Sequence, residues 1–175
     1  MKLISTGIEN FKEMIDKNAY YVDKTNLIID VLNEQVVFCT RPRRFSKTLN
    51  MLMLYYFFSI KEKENAYLFD YLNISKNKNA LKDQNKYPTI FISLKDMTKS
   101  SYEKQMNRFK EVICLCAKKF LELLNSDILL DSEKKLFQKY VDNEIQDNEL
   151  ESALFNISYF FTDFVKDLNL AIGFL

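Results

Sequence analysis

Arg41-Pro42-Arg43-Arg44-Phe45-Ser46-Lys47-Thr48 is the stretch on which the reading of this chain turns. Upstream of it, Gln35 to Thr40 (QVVFCT) is a short β-rich run that predicts a buried strand. Pro42 breaks that pattern. Downstream, Ser46 to Ile60 predicts a helix in which Leu49, Met51, Leu52, Met53, Leu54, Phe57 and Phe58 cover nearly every side. A helix apolar all round is usually central and buried. Strand, basic loop, Lys-Thr and helix together have the architecture of a phosphate-binding loop.

The chemistry behind that reading is specific. A helix N-terminus offers unpaired N–H groups and the positive end of a dipole. Lys47 reaches β- and γ-phosphates as a point charge, and the Thr48 hydroxyl ligates Mg²⁺. Arg41, Arg43, Arg44 and Lys47 add an anion-attracting field. The Walker A pattern, however, wants glycine at the positions of Arg41 and Ser46. A second reading therefore stands beside the first: a basic surface turn capped by Ser46, with Lys47 solvated.

Composition narrows the alternatives. The 175 residues suit one domain, which at this length buries roughly 70% of the surface its unfolded chain exposes. Apolar residues make up 47% and charged residues 28%, an ordinary globular balance. There are two glycines, Gly7 and Gly173, where average usage gives about twelve. That scarcity excludes a Rossmann fingerprint. No histidine is present, which excludes Ser-His-Asp and Cys-His catalysis, His-containing zinc sites and His general bases.

A net charge of +1 gives no global pull toward nucleic acid or anionic lipid. Cys39, Cys114 and Cys116 are odd in number and lack framework spacing, which fits a reducing cytosol. Cys114 and Cys116 read either as a metal pair or as helix residues pointing apart. Met1 to Asn10 has no apolar signal core. The longest apolar run, Leu49 to Ile60, is shorter than the ~20 residues that span a bilayer. A cytoplasmic protein without membrane partners is the expectation.

Along the rest of the chain, Ile8 to Asp16 has helical spacing, and Asp23 is an N-cap candidate for a helix through Leu27, Ile28, Val31 and Leu32. Ser75 to Tyr87, rich in Asn and Lys, reads as a loose surface loop. Thr89 to Leu94 (TIFISL) predicts a second strand, Tyr102 to Asn125 a long helix, and Asp131 to Val141 and Glu149 to Asp167 further helices. Leu168 to Leu175 is strand-like. Strands alternating with helices predict an α/β fold, helix-rich, with a small parallel sheet. No linker is visible, so residues 1–175 read as a single domain.

Several separated segments resemble the predicted AAA-ATPase-like family: Tyr20-Tyr21-Val22-Asp23-Lys24-Thr25, then Arg41 to Phe45, Lys47-Thr48-Leu49, and Tyr56-Phe57-Phe58. In that family a "YVDKT" segment precedes an "RPRRFGKS/T" loop and a helix ending in "YFF". Asn10-Phe11 and Tyr87-Pro88 resemble it too. The resemblance implies a P-loop NTPase fold that binds and hydrolyses ATP with Mg²⁺. It implies nucleotide contacts from Arg41, Pro42, Arg43, Arg44, Phe45, Ser46, Lys47 and Thr48. Often, in that family, a nuclease-like domain of the PD-(D/E)xK type follows. Arg41 in place of glycine is the family's own habit, whereas Ser46 is this sequence's departure. A non-glycine residue held left-handed costs roughly 1–2 kcal/mol, and its Cβ crowds a β-phosphate. Serine is the mildest such change, so weakened rather than abolished binding is expected.

The family's Walker B acid, in a "DEYD" motif after an apolar strand, has no match here. Leu168 to Leu175 resembles that strand, and the chain reads as truncated at or before its Walker B, with weak or no hydrolysis. Asp96, after the Thr89 to Leu94 strand, is the one substitute Mg²⁺ ligand, its other reading being a turn cap. Asp23 and Lys24 read either as near the nucleotide edge or as a helix cap and its solvated neighbour. Two other functions remain open. One is a non-catalytic module whose Arg-rich loop binds nucleic acid or protein. The other is an inactive remnant.

Overall fold

The computed structural model describes residues 7–34, 37, 45–94, 97, 101–164 and 172–174. The chain divides into two compact units, residues 1–89 with 175, and residues 90–174.

In the first unit, α1 spans Phe11–Asp16. Asn10 starts it, its Oδ1 accepting from Glu13 N at 3.2 Å. Asn18 ends it in a left-handed turn (φ 48°), which lets Ala19 N donate to Met14 O at 3.1 Å. α2 spans Asn26–Asn33 and buries Ile28. α3 spans Lys47–Phe58 and buries Leu49, Met53, Phe57 and Phe58. The other residues of α3 after Thr48 are half-buried rather than enclosed. One face is thus fully covered, fewer than the all-round apolar pattern predicts.

Three 3₁₀ segments follow, Ile60–Phe69, Asn73–Lys76 and Ala80–Asp83. The core of the unit is aromatic. Phe11 meets Tyr21 at 5.5 Å and Phe69 at 5.4 Å between ring centroids, and Phe57 meets Phe69 at 5.1 Å. Each such ring removes 150–250 Å² from water, a large contribution for a small unit.

The expectation of a loose loop from Ser75 to Tyr87 is overturned. Ala80, Asn85 and Tyr87 are buried. Asn77 Oδ1 accepts from Asn79 N and Ala80 N, both at 3.1 Å. Polar composition suggested solvent, but the polar side chains here satisfy backbone donors of tight turns.

In the second unit, β1 (Ile90–Ile92) is followed by α4 (Tyr102–Lys118), a 3₁₀ turn (Leu121–Asn125), α5 (Asp131–Asp142), α6 (Asp147–Phe164) and β2 (Ile172–Phe174). β1 and β2 pair in parallel, with Phe91 opposite Gly173. Three residues a side is too little pairing to define the sheet of an α/β fold. Of the expected strand Gln35 to Thr40 only Val37 is described, and it is exposed and outside any strand.

The long helix expected to Asn125 stops at Lys118. Phe120 leaves helical geometry (φ −132°, ψ 41°), and its ring packs on Phe161 at 4.4 Å. Helical periodicity continues through this break, so tertiary packing decides it. α5 opens with Glu133 accepting from Leu130 N at 2.8 Å. It closes on left-handed Asn143 (φ 62°), with Glu144 N donating to Lys139 O at 2.9 Å. Phe137, Tyr140, Ile113, Ala153 and Ile157 form the centre of this core.

Cys114 and Cys116 both lie buried on α4. Cys114 Sγ donates to Val141 O at 3.2 Å, and burial pushes the Cys116 thiol up to about 11. Among the described residues no cluster of three or more His, Cys, Asp or Glu stands ready to hold a metal. No described helix is long and apolar enough to cross a membrane.

Candidate phosphate-binding site

Phe45, Ser46, Lys47 and Thr48 are the described part of the basic loop. Arg41, Pro42, Arg43 and Arg44 lie outside the described residues, as does Asp96. Phe45 is exposed, Lys47 is exposed at the first position of α3, and Thr48 beside it is half-buried. Leu49 then turns into the core at 6% exposure. The polar end of α3 therefore faces outward while its next residue anchors the helix.

Ser46 has φ 56° and ψ 29°, the left-handed region. Its carbonyl accepts the first helical bond, from Asn50 N at 2.9 Å. Its side chain makes no cap hydrogen bond, so the reading of Ser46 as a side-chain cap is corrected. The reason is conformational. An N-cap side chain reaches back to the N2 or N3 amide from β-region backbone, and left-handed backbone points it elsewhere.

Four non-glycine residues among those described have positive φ: Asn18, Ser46, Asn85 and Asn143. Asparagine tolerates that region because its short amide bonds locally. Serine has no such habit, so Ser46 is the strained member of the set. A left-handed residue leading into right-handed helix also aims successive N–H groups into a concavity that suits anions. The chemistry present is consistent: amide donors, one ammonium and one hydroxyl fit a phosphate with its hard cation. One turn further, Asn50 Oδ1 is buried and has no hydrogen-bond partner among the described residues. Sequence patterning passed over Asn50, since nothing distinguishes an asparagine facing this end of the helix from one facing water.

The far end of α3 is held by another residue that the sequence reading missed. Asn85, 5% exposed and left-handed, donates from its backbone N to Phe57 O at 2.7 Å. Its Nδ2 donates to Tyr56 O at 3.0 Å and to Ser59 O at 2.9 Å. Tyr87 N adds a bond to Phe58 O at 2.9 Å. The carbonyls that a helix end leaves unpaired are met here by a segment 26 to 29 residues away.

In the Tyr20 to Thr25 segment the expectation of Asp23 as the N-cap is corrected. Thr25, not Asp23, occupies the N-cap position of α2. Asp23 Oδ1 accepts from Thr25 N at 2.9 Å and from Thr25 Oγ1 at 2.7 Å. Asp23 Oδ2 accepts from Asn73 N at 2.6 Å, and Thr25 Oγ1 accepts from Ile74 N at 3.1 Å. Burial pushes the Asp23 carboxyl up, but these donors and the Lys76 charge outweigh it and hold it below its ordinary value. Tyr21 reaches α3, its hydroxyl 3.4 Å from Met53 Sδ, and burial pushes that phenol up to about 12. The segment is a clamp between α3 and the 73–74 turn.

The family model described as predicted AAA-ATPase matches residues 5–158. No curated protein and no solved structure matches the chain.

Proposed function

This chain belongs to the predicted AAA-ATPase family, and on that premise we propose that it binds ATP with Mg²⁺ at the N-terminus of α3. The contacts come from Arg41, Pro42, Arg43, Arg44, Phe45, Ser46, Lys47 and Thr48. Ser46 carries the reading. It occupies the loop position where the family has glycine, and it holds the left-handed backbone that glycine adopts freely. Strain of that kind persists where a ligand site needs the backbone shape.

Lys47 supplies a charge to the phosphates and Thr48 a hydroxyl to Mg²⁺. Held there, Mg²⁺ would supply charge neutralisation at the phosphates. The Ser46 Cβ crowds the same space, which weakens binding. Asp96 is kept as a second Mg²⁺ ligand by sequence alone. Buried free thiols at Cys114 and Cys116 suit a reducing cytoplasm.

A fluorescent ATP analogue with Mg²⁺, titrated against the chain and its Lys47→Ala variant, tests the proposal. Losing a charged donor of this kind is worth about 1.5–3 kcal/mol, so affinity falls about tenfold or more. Absence of analogue binding by the unaltered chain, or equal affinity in the variant, overturns it.

A further inference from the structure

Residues 71–82 lie outside the segment proposed to hold nucleotide. They contain Lys76, Lys78 and Lys82, three asparagines and no acid. The backbone here is held firmly. Asp23 and Thr25 take the Asn73 and Ile74 amides, Asn77 takes two more, and Ser75 Oγ donates to Leu72 O at 2.7 Å. Ile74 and Ala80 anchor the stretch from below at 0% and 4% exposure.

What it shows to solvent is aromatic and basic. Tyr71 is 100% exposed, and Lys76, Lys78 and Lys82 are exposed. Across the Asp23–Asn73 bond stand Tyr20 and Val22, at 63% and 59% exposure. Two acids border the start of the stretch: Asp23, which accepts from Thr25 and Asn73 and feels the Lys76 charge, and exposed Asp70, which precedes Tyr71. Asp83, at the far end, accepts from the Tyr87 hydroxyl. Among the described residues of the first unit ten Lys balance ten Asp and Glu, so the positive charge here is local to Lys76, Lys78 and Lys82.

We propose that the rim formed by Tyr20, Tyr71, Lys76, Lys78 and Lys82 docks single-stranded nucleic acid. Flat aromatic faces beside ammonium groups match a polymer of flat bases and phosphates. Asparagine amides add donors and acceptors for base edges. Irregular tight turns offer no rod for the major groove of a duplex, which selects the single strand. An acidic peptide matches the lysines but gives the tyrosine faces no flat partner. Because the turns are fixed beforehand, little ordering is needed on binding.

The test uses a fluorescein-labelled 20-nucleotide oligothymidylate and the full chain, read by anisotropy across a salt series. Tyr71→Ala is expected to weaken binding about tenfold, as loss of one stacked base does, while Tyr71→Phe keeps it. Replacing Lys76, Lys78 and Lys82 by Gln lowers the log–log salt slope by about 2, at roughly 0.7 per phosphate contact. No binding at low salt overturns the proposal. So does preference for a poly-glutamate peptide or for duplex of equal length. Binding that survives these variants but disappears in Lys47→Ala also overturns it, by assigning nucleic acid to the basic loop instead.

Discussion

Ser46 stands apart at the scale of single residues. The chain has sixteen asparagines against two glycines, and asparagine takes three of the four non-glycine left-handed positions described. Helix ends at Asn18 and Asn143 and the turn at Asn85 are thereby solved without glycine. The same solution is absent at Ser46, where, in the proposed site, a longer amide would stand against the phosphate. Ser46→Gly is expected to tighten ATP-analogue binding about fivefold, as removal of a crowding Cβ implies. The roughly 1–2 kcal/mol of backbone strain is present before binding, and its relief acts on folding. Unfolding stability changes by less than about 1 kcal/mol, because glycine's greater freedom in the unfolded chain offsets the relief. Equal affinities by titration would show that Ser46 does not hinder phosphate. The position was legible in the sequence by its offset from Lys47. That its side chain fails to cap the helix was not, since capping depends on a dihedral angle.

At the scale of elements, α3 is fixed by chain distant from it, with Tyr21 against Met53 in its middle and Asn85 and Tyr87 at its C-terminal end. Its existence was readable from its apolar run, but the depth of its burial was not. Periodicity reports which residues want cover and not how much neighbouring chain supplies it. Asn85 shows the point: it looked like one more polar residue in a loop, and it closes the C-terminal end of α3 with three bonds. Asn85→Ala is expected to lower stability by about 2–4 kcal/mol, from two lost side-chain bonds and a left-handed alanine. Asn85→Gly keeps the backbone shape and loses about 1–2 kcal/mol. Urea unfolding of both variants checks this, and equal losses would show that the left-handed backbone contributes nothing. The break after Lys118 follows the same logic, because Phe120 trades helical continuity for a ring contact with Phe161.

For the molecule as a whole, acid is the condition that both units feel. In the first unit, the Tyr67 hydroxyl and Lys12 hold Asp16 below its ordinary value. The donors around Asp23 do the same there against the effect of burial. In the second unit, Lys139 and the Gln146 amide lower Glu149. A carboxyl lowered by folding adds stability above its unfolded value, near 4, and that contribution is lost as pH falls through the folded value. Urea-measured stability is therefore expected to be level from about pH 7 to 5 and to decline below about pH 4. Asp23→Ala flattens part of that decline. A profile unchanged by the substitution would show that the Asp23 clamp contributes no pH-dependent stability.

The sequence by itself determined the local matters: where most helices begin and end, the order of the basic loop and α3, the family, and the glycine missing at Ser46. These rest on spacing and residue type, which act within a few positions of each other. The tertiary structure alone decided what meets across the chain. Asp23 read as a residue near the nucleotide edge or as a helix cap, and its bond to the Asn73 amide, 50 residues on, was visible only in the fold. The Asn- and Lys-rich stretch read as loose until its polar groups were seen bonding its own turns and the end of α3. A hydrogen bond is specified by position and direction in space, and for partners that far apart in sequence only the packed core sets both.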